Sequence, residues 1–363
     1  MKKSAIIILK YVHPSCYLII LLLSLSSMSC RNMVLRTKNE LDLKGPLETK
    51  VSANLSPRND DGPLIAKEVA SGNSTSSSET IAIVDLDGIL LNNEYTGISS
   101  LGENPVALFR EKLDSLEKQP NIRAVILRIN SPGGGVAACG LMRRDLLRFR
   151  QRTHLPVIAC LLDNATGGAY YIASAADQMV AIPESVVGGI GVILNLYNLR
   201  DLMQQFNIVP QEIKAGPNID MGSVVRKIPD ETKKWLQGMA DQYQQTMIRD
   251  IRAQRPKIPA RDQTVFDGRI FTAEQALERG LIDRIADLDE IISDVRQYYH
   301  LSAAATVLYR RKNDPAYSIY AVSPNTPIQA ALLPSVPGMD RSKLPVFLSM
   351  WQIDPTAQKQ SGK

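Results

Sequence analysis

The stretch Pro156–Asp177, PVIACLLDNATGGAYYIASAAD, constrains the fold more than any other part of the chain. Its first half is an apolar run of strand length, which suits a strand covered on both faces, as in a parallel sheet. Its second half is rich in Ala, Gly and Tyr, as expected of a helix packed closely on that sheet. Gly167, Gly168 and Ala169 leave the turn between them free of bulk. The first N–H groups of a helix lack intrahelical partners and carry the positive end of its dipole, so the turn could hold an anion or activate a nucleophile. A tight structural crossing is the plainer alternative.

The neighbouring segments extend this α/β pattern. Thr80–Leu91 is a β-branched apolar run interrupted by Asp-Gly, and Ala124–Ile129 (AVILRI) is another, followed by Asn130-Ser-Pro-Gly-Gly-Gly135. Read as a glycine loop after a strand, that motif frees backbone N–H groups to stabilise an oxyanion. A helix over about Leu141–Gln151 sets Arg144, Arg148 and Arg152 on a solvated face opposite Met142, Leu146 and Phe149. The strand-to-strand spacing suits a right-handed βαβ crossover. Further along, a strand is expected over Gln178–Ile182. A helix follows with Leu199, Leu202, Met203 and Phe206 at core spacing, then a strand at Gln211–Lys214. Asp230–Arg255 reads as one long helix whose buried stripe is Leu236, Ala240, Tyr243 and Met247. Thr272–Gln275 is a capping box, with Gly280 as the stop of its helix.

The ends read differently. Residues 1–30 combine Lys2, Lys3 and Lys10 with the apolar run Tyr17–Leu25 and small residues ending at Cys30, the layout of an export signal or membrane anchor; Leu25–Cys30 resembles a lipoprotein cleavage box with Cys30 as the lipidated residue. Residues 31–79 are polar and end in a Ser/Thr-rich run, a flexible tether with little fixed structure. Residues 301–363 form an extension with strand-like runs at Thr306–Tyr309 and Tyr317–Val322 and a Pro-rich end.

Composition narrows the chemistry. A net charge of +5 spread over 363 residues provides no basic face for nucleic acid. Cys16, Cys30, Cys139 and Cys160 have no CxxC or Cys/His spacing, so no metal site is expected, and Cys139 and Cys160 read as buried free thiols. His13, His154 and His300 are the only histidines, which leaves a Ser/His/Asp triad without a base; Asp177 therefore reads as structural.

Five separated segments, AVILRINSPGGG (Ala124–Gly135), GGAYYIASAAD (Gly167–Asp177), GGIGVI (Gly188–Ile193), IKAGPNIDMGS (Ile213–Ser223) and DGRIFTAEQALERGLID (Asp267–Asp283), together resemble the signal peptide peptidase A (protease IV) family. The resemblance covers about residues 80–300 and, with a single SPGG motif, is to the short form. It implies an α/β, Clp protease/crotonase-like spiral of ββα units and a bacterial cell-envelope protein tethered to the membrane through its N-terminus. It also implies a homo-oligomer or a hetero-assembly with active relatives, a peptide substrate or ligand, and no cofactor. In the family a serine at the helix start attacks the peptide carbonyl, a lysine with a pKa lowered by desolvation is the base, and the SPGG loop supplies the oxyanion hole.

The carry-over fails at the reacting groups. Gly167 stands at the nucleophile position and Ile219 at the base position, while Gly189 replaces a further serine. Gly133, Gly134, Gly168 and Gly189 remain as oxyanion and substrate-binding candidates, and Asp220 persists beside the lost base. Thr166 and Lys214 are the nearest substitutes, and Ser174 is expected to bond to backbone. Three readings follow: a peptide-binding relative without its dyad, a peptidase using Thr166 and Lys214, and a crotonase-type enzyme acting on acyl thioesters.

Overall fold

The structure is a computed structural model that describes residues 62–71, 79–93, 103–301, 304–312, 318–321 and 348–350. The leader, with Cys30, and most of the tether lie outside the described residues. No described helix is long and apolar enough to cross a membrane.

Among the described residues, ten strands form one sheet. β1 (Leu64–Ala70), β2 (Thr80–Leu90), β3 (Ile122–Gly135), β4 (Val157–Thr166), β5 (Gln178–Ala181), β8 (Arg284–Ile285) and β9 (Ala305–Arg311) lie in the order β1-β9-β2-β3-β4-β5-β8. From β9 to β8 every neighbouring pair is parallel, and β1 joins β9 antiparallel. The remaining strands, β6 (Val186–Gly188), β7 (Ile270–Thr272) and β10 (Leu348–Met350), pair off that path. Both faces of the parallel part are covered, as its near-continuous apolar strands require. Ala82, Val84 and Leu86 point into one core with Phe109 and Leu113 of α1 (Pro105–Glu117) and Met142, Leu146 and Phe149 of α2 (Val136–Thr153). Ile81, Ile83, Ala124 and Ile126 point into the other, closed by Leu288, Ile291, Ile292 and Val295 of α7 (Leu288–Tyr298).

Strand β4 changes partners along its length. Ile158–Leu161 pair with β5, whereas Asn164–Thr166 pair with β6, which also holds β7 antiparallel. The change of partner falls at the end of β4, just before α3 (Gly168–Ala173) begins. A mixed α/β fold whose strands change partners within one sheet agrees with the expected fold class.

Several local expectations are corrected. Asn130–Gly135 is the end of β3 rather than a loop. Leu64–Ala70, inside the expected tether, is a strand because β9 offers it a register from Arg311 to Thr306. Gln211–Lys214 forms no strand. The helix expected around Leu199–Phe206 is α4 (Arg200–Gln205), but it buries nothing: Leu202 and Phe206 are 50% and 69% exposed. In α5 (Asp230–Gln254) only Met247 and Ile251 are buried, and Tyr243 is exposed. Residues 318–321 form a turn instead of a strand. The Thr272 capping box at α6 (Ala273–Glu278) and the positive φ of Gly280 follow the sequence reading.

Candidate functional site

The turn from β4 to α3 is sharp because Gly167 adopts φ 55° and ψ −124°. Side chains rarely tolerate this region, and strand–turn–helix turns of hydrolases use such strain to display a nucleophile. Here the position has no side chain. Its N–H donates to Gly188 O (2.9 Å), and its carbonyl accepts from Tyr171 N (3.1 Å). Next to it, a Cβ on Gly168 would lie 2.3 Å from Cys139 Sγ, so glycine is what lets α3 approach α2. Tyr170 Oη donates to Leu281 O (2.8 Å) and Tyr171 Oη to Asp250 Oδ2 (2.6 Å), with the Arg143 guanidinium 4.8 Å above the Tyr171 ring. These contacts fix α3 against distant parts of the chain.

The end of β3 forms the facing wall. Ser131 is fully buried; its Oγ donates to Gly88 O (2.6 Å) and accepts from Gly133 N (3.1 Å), which shapes the motif from within. Sequence reading missed Ser131, although it lies inside the SPGG segment. The two glycines that follow do different work. A Cβ on Gly134 would lie 2.0 Å from Leu90 O, so this glycine allows β2 to close in. Gly133, at φ 99°, faces the cleft, where a Cβ would lie 2.6 Å from Gly168 N and 3.0 Å from Thr166 O.

Strand β2 pairs with β3 as far as Gly134, and β4 pairs with the other edge only as far as Ser131. On the edge that β4 leaves, β10 runs antiparallel, with Leu348 opposite Gly135, Ser349 opposite Gly134 and Met350 opposite Gly133. The Ser349 carbonyl oxygen sits among three glycines: added Cβ atoms on Gly133, Gly167 and Gly168 would lie 2.2, 2.5 and 3.2 Å from it. Nothing in the sequence signalled this contact, since Ser349 lies far down the C-terminal extension.

The other candidate residues have separate positions. Thr166 is fully buried, and its Oγ1 donates to Asn164 Oδ1 (2.8 Å) or Pro132 O (3.3 Å). Lys214 Nζ pairs with Asp220 Oδ1 (2.9 Å) and also reaches Pro217 O (3.3 Å). No hydrogen bond joins Thr166 to Lys214. Ile219 is 74% exposed. Gly189 donates its N–H to Arg269 O (2.8 Å), supporting β6 beneath the turn. Asp177 accepts from Val157 N (2.9 Å) and pairs with Arg150, while Ser174 Oγ donates to Tyr171 O (2.7 Å); both act in the framework. Burial pushes the thiols of Cys139 and Cys160 up to about 12, well above the ordinary range, so neither is a nucleophile at neutral pH. The edge of β3 that β4 leaves, paired here with β10, and the glycine cradle around a carbonyl suit an extended peptide backbone.

The family model of peptidase family S49 matches residues 149–302. A candidate protease of Synechocystis is 31% identical over 205 residues, spanning 56% of this chain and 71% of that protein. The chain belongs to peptidase family S49, the signal peptide peptidase A family. A second candidate protease, from Methanocaldococcus jannaschii, is 29% identical to this S49 chain over 217 residues, covering 60% of the chain and 69% of its own length. The S49 chain also matches a solved structure of a mutant of the 1510-N membrane-bound stomatin-specific protease, at 16% identity and a TM-score of 0.36, over 59% of this chain and 84% of that one. The S49 match includes β4, α3 and β6, the elements that build the turn at Gly167.

Proposed function

We propose that this S49 protein is an exported, membrane-tethered peptide-binding member of its family in which peptide hydrolysis by a Ser/Lys dyad has been lost. The observation that carries the reading is Gly167: the turn has the positive-φ backbone in which a strained turn can display a nucleophile, yet the residue on it has no side chain. The base position, Ile219, is equally unable to take a proton. What persists is the means of binding, namely the edge of β3 beyond Ser131, which takes β10 as a strand, beside a carbonyl-sized cradle of glycines. Backbone pairing along a strand edge binds extended peptides without chemistry. Through that cleft the protein holds peptides or assembles with active relatives.

The substitute pair Thr166 and Lys214 is disfavoured because each is already committed, Thr166 Oγ1 to Asn164 and Lys214 to Asp220. An extended fluorogenic peptide incubated with the full chain should bind and be recovered intact, and Gly133→Ala, which fills the cradle, should remove the binding. Cleavage that disappears in Thr166→Ala would overturn the reading.

A further inference from the structure

We infer that Asp87 is a positioning residue for the peptide cleft: through the Gly88 carbonyl and the Ser131 hydroxyl, the state of its carboxyl group sets the wall that Gly133 presents to a peptide. The inference rests on the reading of the cleft as a peptide site and assigns a residue that regulates it. Three observations carry it. First, β2 and β3 fall out of step beside the cleft. Asp87 lies opposite Asn130 and Ile89 opposite Gly133, so Gly88 alone spans Ser131 and Pro132. Pro132 has no N–H to give to the ladder, and the extra residue on β3 makes a bulge just before Gly133.

Second, a side chain holds the bulge together. Ser131 Oγ donates to Gly88 O (2.6 Å) and accepts from Gly133 N (3.1 Å), so a movement of the Gly88 carbonyl passes through one hydroxyl to the backbone of Gly133. Gly88 is at φ 67°, a conformation from which glycine turns more freely than any residue with a side chain. Third, Asp87 immediately precedes this joint, and its Oδ2 is enclosed without a hydrogen-bond partner.

The groups around Asp87 explain why it is left over. Asp85 on β2 is a like charge; Arg128 faces it from β3, Arg310 from β9 and the buried Lys112 from α1. Both arginines are already committed, Arg128 to Asp85 Oδ1 (2.7 Å), Arg310 to Asp85 Oδ2 (3.0 Å), and each to Ala321 O (2.6 Å). Burial lowers the pKa of Lys112 and so weakens the cation on the helix side. Burial and then the Asp85 charge raise the Asp87 carboxyl to about 7. Neutral, it fits its enclosure. Ionised, it is an unpaired charge beside another carboxylate and is driven to turn toward Lys112 or water, carrying Gly88 with it. The cleft described above is that of neutral Asp87, and peptide affinity falls as pH rises through about 7.

Two measurements on the full chain test this. Carbon-13 proline combined with nitrogen-15 glycine isolates the amide signals of Gly133 and Gly338, the glycines that follow proline, and Gly338→Ala tells them apart. The Gly133 signal should shift with pH about a midpoint near 7. Asp87→Asn, and Ser131→Ala, which cuts the connection, should each abolish that shift. A Gly133 signal that is constant from about pH 5 to 9, or that titrates unchanged in either folded variant, overturns the proposal. If Asp87→Asn does not fold, Ser131→Ala decides. The second measurement is equilibrium binding of an extended fluorogenic peptide, blocked at both ends and without titratable side chains. Wild type should bind it about tenfold more weakly at pH 8 than at pH 6, as expected when the competent form falls from about nine-tenths to about one-tenth of the molecules, and Asp87→Asn should bind it equally at both. Equal wild-type affinities at the two pH values overturn the proposal and leave the peptide site intact. Absence of binding at both removes the peptide reading and the effect on affinity with it, while the Gly133 titration stands or falls on its own.

Discussion

Gly167 joins two properties that a side chain would set against each other: a backbone conformation in the positive-φ region and close approach of the Ser349 carbonyl. Restoring a serine adds strain of about 1–3 kcal/mol and a side chain where Ser349 lies. Gly167→Ser should therefore lower the unfolding free energy by about that amount in denaturant titration, and the amides of 348–350 should exchange faster. A second residue-scale case is Asp87, whose Oδ2 is enclosed without a partner. Burial, helped by the nearby Asp85 carboxylate, raises its pKa to about 7 against the opposing pull of Arg128, Lys112 and Arg310. The folded chain then holds a proton that the unfolded chain releases near pH 4, so this group's contribution to stability is full below about pH 4 and falls as pH rises to about 7. Asp87→Asn should flatten that part of the stability–pH profile; an unchanged slope between pH 4 and 7 would show that Asp87 titrates normally.

Among the elements, β2, β3 and β9 are joined by charge as well as by backbone. Asp85 on β2 receives Arg128 of β3 (2.7 Å) and Arg310 of β9 (3.0 Å), all three side chains almost wholly buried. Removing the carboxylate leaves two guanidiniums buried without their counter-charge, a loss of about 3–5 kcal/mol. Asp85→Ala should show it as a lowered denaturation midpoint, and the turn at 318–321 should lose exchange protection with it. The elements that sequence reading found are those whose own composition determines their surroundings. The run Val157–Leu161 is apolar at every position and so must be covered on both faces. The Gly167–Gly168 pair marks a close approach that bulk would prevent. The failures share a different cause. Leu202 and Phe206 have helical spacing, but spacing says which residues share a face and not whether anything covers it. In β1, Lys67 and Glu68 hide a strand whose existence depends on β9, far along the chain. Asn130–Gly135 reads as a loop from its glycines and is a strand because β2 and β10 pair with it on both sides.

At the scale of the whole molecule, the sheet, the change of partner at the end of β4 and the glycine cradle belong to a chain of the S49 family, and the proposed function has the reacting side chains lost from them. Ser131, Gly133 and Gly168 keep the cleft in shape for a peptide carbonyl, and the carbonyl found there belongs to the protein's own extension. On this account the chain binds where its relatives are named for cutting. The most direct test is treatment of the full, folded chain with a fluorophosphonate probe, followed by peptide mapping of any adduct. The account predicts no specific adduct anywhere in the cleft, because Gly167 has nothing to react and Thr166 is engaged with Asn164. A stoichiometric adduct on Thr166, lost in Thr166→Ala, would contradict it.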